Sequence, residues 1–119
     1  MQGGATVDRS AVTSATTSAE LIALGAVRLD SAQIQDVFVG HTHDAGDWEF
    51  VINEDGTWSA AAKDGSWTDR PGTWQIANDQ FCREGPDTQP DCQTLFVVGD
   101  MLRVAEGEGT NLRPWTIML

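Results

Sequence analysis

From Asp47 onward the chain alternates apolar and polar residues with a period of two. Trp48, Phe50 and Ile52 alternate with Asp47, Glu49 and Asn53, which places three large apolar groups on one face of a strand. Val51 interrupts the polar face, so that side is expected to be partly covered. Asn53-Glu54-Asp55-Gly56 supplies a hairpin turn, because Gly56 accepts the positive φ that such turns need. Thr57 to Ala62 is the return strand, with Trp58 directed toward Trp48 or Phe50. Lys63-Asp64-Gly65-Ser66 predicts the next turn. Trp67 begins another strand, which Pro71-Gly72 interrupts and Thr73 to Ala77 resumes, with Trp74 and Ile76 on one face. Asn78-Asp79 turns the chain into Gln80-Phe81-Cys82.

The pattern continues to the C-terminus. Gln93 to Val98 carries apolar groups on both faces, Leu95 and Val97 on one and Phe96 and Val98 on the other, as a central, well-covered strand does. Gly99-Asp100 is a two-residue turn into Met101 to Glu106, where Arg103 lies between Leu102 and Val104. Gly107 to Asn111 reads as a flexible loop. Leu112 to Leu119 is the last strand, with Trp115, Ile117 and Leu119 alternating and Pro114 at an edge or bulge position. These elements predict a mainly β fold: a small antiparallel up-and-down β-barrel, or a highly curved sheet, of about seven or eight strands. Closure removes the exposed edges of so strand-rich a chain.

Ahead of the strands the period changes. Ser18 to Val27 predicts a short helix capped by Ser18 and ended by Gly25, or one running into an extended Ala26 to Leu29. Asp30 to Val39 predicts a second, with Ile34, Val37 and Phe38 on one face and Gly40 just past the end. This helix is placed to plug or cover a barrel. Residues 1–17 are rich in Gly, Ser, Thr and Ala and read as a flexible arm, leaving 18–119 as a single β domain.

The net charge of -11 and the pI near 4.2 argue against nucleic acid and against an anionic membrane surface. No stretch approaches the roughly 18 apolar residues of a membrane span, so no membrane insertion is expected. Met1-Gln2-Gly3-Gly4 lacks the basic and apolar regions of a secretory leader. Cys82 and Cys92 flank a polar loop, Arg83 to Asp91, and read as a disulfide at its base, stabilising by roughly 2 to 3 kcal/mol. Neither spacing nor neighbours match a zinc site. A disulfide implies an oxidising compartment, hence a periplasmic or secreted protein.

His41-Thr42-His43-Asp44 holds the only two histidines, in what reads as a loop entering the first aromatic strand. An extended backbone puts both imidazoles on one face, with Asp44 or Asp47 nearby for metal binding or acid–base work. An exposed loop with chance histidines fits as well, and no third ligand is signalled.

One set of features resembles a family. A helix ending in Gly-x-Thr (Gly40, Thr42), an aromatic strand, Asp-Gly-Thr (Asp55, Gly56, Thr57), Gly-x-Trp (Gly72, Trp74), then Phe-Cys and a second Cys resembles small exported bacterial domains of uncharacterised function with a lipocalin-like, or calycin-like, barrel. The resemblance covers residues 30 to about 106. It implies a fold and carries over no catalytic set.

Three functions compete, in this order. The first is a binding module for a small apolar or amphipathic molecule, with Trp48, Phe50, Trp58, Trp74, Arg103, His41 and His43 as candidate lining. The second is a protein-interaction module, an inhibitor or cell-envelope accessory, docking through the acidic Glu84 to Asp91 loop. The third is a small enzyme using His41 or His43, which no triad, paired-carboxylate or phosphate-loop motif supports. No cofactor, metal or catalytic residue is assigned, and the chain is expected to be a monomer or dimer.

Overall fold

The computed structural model describes residues 8–86, 88–107 and 110–119. Eight antiparallel strands follow one another around a closed barrel: β2 (His41–Asp44), β3 (Trp48–Ile52), β4 (Thr57–Ala62), β5 (Thr68–Ala77), β6 (Gln80–Gly85), β7 (Thr88–Val98), β8 (Met101–Glu106) and β9 (Leu112–Met118). Each pairs with the next, and β9 closes on β2 through Asp44 and Met118. A short β1 (Val27–Arg28) adds to β7 beyond the end of β6. The barrel and its up-and-down order are as the alternation predicts.

The period of two sorts the side chains into two cores. The inward rows hold Phe50, Ile52, Trp58, Ala60, Phe81, Leu95, Leu102, Val104 and Ile117. The outward face of β7 and β8 carries a second core: Phe96, Val98, Met101 and Ala105 pack with Val12, Ala15, Leu21 and Ala26. This is why β7 is apolar on both faces.

Helix α3 (Ser31–Phe38) plugs one end of the barrel. Asp30 and Gln33 form a capping box, and Ile34 and Phe38 are buried among the inward rows. Its N-terminus is tied to the β5–β6 turn, where Ser31 N donates to Asp79 Oδ1 at 2.7 Å. That turn holds Asn78 and Asp79 at φ 54° and 57°, the left-handed region that Asn and Asp tolerate.

Several expectations are corrected. Residues 9–14 are not an unpacked arm: α1 (Arg9–Ser14), capped by Asp8, buries Val12 completely, and residues 1–7 lie outside the described residues. Helix α2 (Ser18–Ala23) is capped by Thr17 rather than Ser18. His41–Asp44 is strand β2, not a loop, because it pairs with β3 on one side and β9 on the other. The strand after Trp67 runs without interruption, absorbing Pro71-Gly72 in a bulge opposite Trp58 and Ala60. Residues 83–91 are largely strand. Arg83 pairs with Asp91 and Gly85 with Thr88, so Cys82–Cys92 is a cross-strand disulfide within the hairpin.

Candidate functional site

The two ends of the barrel interior differ. Near α3 the inward side chains are mostly buried, His43, Phe50, Ile52 and Phe81 among them, with Trp74 and Ile76 half-buried and His41 exposed. At the other end, where β2 passes to β3 and β4 to β5, they are only half-buried: Trp48, Arg83, Asp91, Arg113 and Trp115, with Trp67 at 42% exposure on the rim. Trp48 is the hub of the aromatic part. Its ring lies 5.2 Å from Trp115, edge-on, and 6.1 Å from Trp67. Below it Trp48 stacks on Phe50, which belongs to the core.

The polar part stands on β6, β7 and β9. Arg113 donates to Asp91 at 3.1 Å and pairs with Glu106 at 3.1 Å. Gln93 donates to the same Asp91 carboxylate at 3.0 Å. Arg83, opposite Asp91 in register, lays its guanidinium 5.0 Å from the Trp58 ring centroid. Removal from water pulls the Arg83 pKa down; Asp91 opposes that shift, Arg113 adds to it, and Asp69 opposes it weakly. The guanidinium stays charged at any ordinary pH. The Nε atoms of Arg83 and Arg113 are buried and have no hydrogen-bond partner.

Trp58 sets the floor of this end. Its indole N–H donates to Glu84 O at 3.1 Å, and the ring lies over the Gly72–Gly85 pair. A Cβ at Gly72 stands 2.3 Å from Glu84 O and 2.7 Å from Trp58 Nε1, so no other residue fits there without backbone movement.

The candidate lining residues therefore divide. Trp48 reaches the half-open end. Phe50 and Trp58 are core. Trp74 is half-buried toward the plugged end, its indole donating to Asn53 O at 2.9 Å and its ring against Phe81. His43 is 3% exposed, packed between Phe38 and Phe50, and its Nε2 donates to Phe38 O at 2.8 Å. Burial depresses the His43 pKa and keeps the ring neutral, only partly opposed by the Phe38 bond. His41 is exposed on the same strand face, 6.1 Å from His43 between ring centroids. His43's side-chain partner is a backbone carbonyl rather than a carboxylate, so the pair lacks the arrangement acid–base catalysis needs.

Arg103 is the clearest departure. It is 2% exposed but lies on the outward face of β8 beneath α1. Its guanidinium donates to Val12 O, to Thr13 O at 3.1 Å, to Arg113 O at 2.7 Å and to Trp115 O at 3.0 Å. Two of these are free carbonyls at the C-terminus of α1, where a cation is favoured; the others belong to β9, where the β8–β9 register shifts. Arg103 holds α1 on the barrel and cannot line its interior.

The residues sequence reasoning missed are Arg83, Asp91, Arg113 and Trp115. Among the described residues no three His, Cys, Asp or Glu gather as a metal centre does. A cleft of about 220 Å³ beside the disulfide, lined by Thr73, Gln75, Cys82, Glu84 and Cys92 among others, runs over the outer face of β5 to β7. Comparisons with protein-family models, curated proteins and solved structures give no match.

Proposed function

We propose that the protein is a small-molecule-binding barrel of lipocalin-like build, with its site at the end opposite α3. The observation that carries this reading is the group of half-exposed inward aromatic and charged side chains at the end opposite α3: Trp48, Arg83, Asp91, Arg113 and Trp115. Barrels of about eight strands have room for one small ligand, and mouths of barrels are common sites for one. A few polar groups set beside aromatic walls supply orientation, and Trp48, Trp115, Arg83 and Arg113 are such a set. The Cys82–Cys92 disulfide supports an oxidising compartment, and so a periplasmic or secreted protein.

A native mass spectrum of the purified protein beside a denatured one tests this. Added mass of a few hundred daltons that disappears on denaturation is the expected result after incubation with a mixed small-molecule extract. Identical masses under both conditions, with and without the extract, contradict the proposal.

A further inference from the structure

We infer that the open end takes an amphipathic organic acid, its oxyanion against Arg83 and Arg113 and its apolar body against Trp48 and Trp115. The inference rests on the binding-barrel reading above and adds the ligand class.

Arg113 from β9 pairs with the Asp91 carboxylate, and Arg83 from β6 stands opposite Asp91 in register, near enough for the charges of Asp91 and Arg113 to act on it. Arg113 uses part of its fork on Asp91 and on Glu106, whose side chain is 57% exposed and therefore screened by solvent. Arg83 is held by the face of Trp58. The Nε donors of both remain buried without an acceptor. A buried N–H without an acceptor costs free energy, and no oxygen of the neighbouring carboxylates reaches these two. A carboxylate or sulfonate supplies acceptor oxygens in the planar or forked geometry a guanidinium favours. A cationic ligand leaves both donors unmet and is repelled by both arginines. The neighbouring wall is aromatic: Trp48, Trp115 and Trp67 present half-exposed rings within 6.1 Å of one another in sequence of contact. An acid with an apolar body meets both demands, whereas a simple inorganic anion leaves the indoles in water.

The test uses two fluorescent probes of the same ring system, 8-anilinonaphthalene-1-sulfonate and uncharged N-phenyl-1-naphthylamine, titrated against the folded full chain. Energy transfer from tryptophan reports binding. The sulfonate is expected to bind tighter by about tenfold, the scale of one charged hydrogen bond. Arg113→Met should abolish most of that preference. Asp91→Asn removes the carboxylate that competes for Arg113 and should tighten the sulfonate relative to the neutral probe; a merely structural role for Asp91 does not produce such a gain. Equal binding of the two probes, or no gain in Asp91→Asn, overturns the acid assignment and leaves a neutral-ligand barrel standing. Failure of both probes to bind the wild-type chain overturns the binding-barrel reading as well.

Discussion

The two ends of this barrel are built from the same alternating strands and fill their interiors differently. At the plugged end, Phe38 descends from α3 to sit 5.5 Å from Phe50, 4.9 Å from Phe81 and 4.4 Å from the His43 ring. Polar atoms there are satisfied locally, as His43 is by Phe38 O and Trp74 by Asn53 O. At the open end the inward positions carry larger and charged groups, and two buried arginine donors lack acceptors. A helix closes one end with apolar side chains; at the other the inward side chains are left half-exposed. The difference separates inward residues packed beneath the plugging helix from inward residues left half-exposed, to which the proposal assigns a ligand.

The contrast can be broken most forcefully by truncation at each end. Phe38→Ala removes a fully enclosed ring and is expected to cost about 3 to 5 kcal/mol in urea unfolding. Trp115→Ala removes a larger but half-exposed ring and is expected to cost roughly half as much or less. Equal losses at the two ends contradict the asymmetry.

A smaller effect comes from His43. Its folded pKa lies below the ordinary value of 6.5, so the unfolded chain takes up a proton that the folded chain refuses. That term is absent above the ordinary value and destabilises as pH falls through it, with a slope of at most about 1.4 kcal/mol per pH unit. Asp44, Asp55, Asp79 and Asp100 are exposed and held below the ordinary value of 3.8 by hydrogen bonds, led by Lys63, Thr57, Ser31 and Arg9 in turn, so their contribution is lost only at more acid pH. Stability measured from about pH 7 to 5 should therefore fall in the wild type and fall less in His43→Gln. Parallel profiles sink the assignment.

The strands were legible because alternation is a local property, and the plugging helix because Ile34 and Phe38 recur at helical spacing beside a capping box. Helix α1 was not, since six residues with one large apolar side chain have no period; it is held by Arg103, 91 residues from Val12 along the chain. The facing of Arg103 was available from the pattern itself, because Leu102 and Val104 face inward and their neighbour must face outward. The cluster at the open end was hidden by composition. Gly85, Pro86 and Pro90 signal a loop, and only the pairing of Cys82 with Cys92 brings Arg83 opposite Asp91. Arg113 precedes Pro114 in a stretch where the β8–β9 register shifts, and its reach to Asp91 across β8 depends on the register of both hairpins.

The most direct test of the open mouth is a proton–nitrogen correlation spectrum of the five tryptophan indoles during titration with 8-anilinonaphthalene-1-sulfonate. The indole signals of Trp48 and Trp115 should move with the probe, while that of Trp74, bonded to Asn53 O near the plugged end, stays in place. Movement of Trp74 with Trp48 and Trp115 fixed would place the opening at the wrong end and contradict the account.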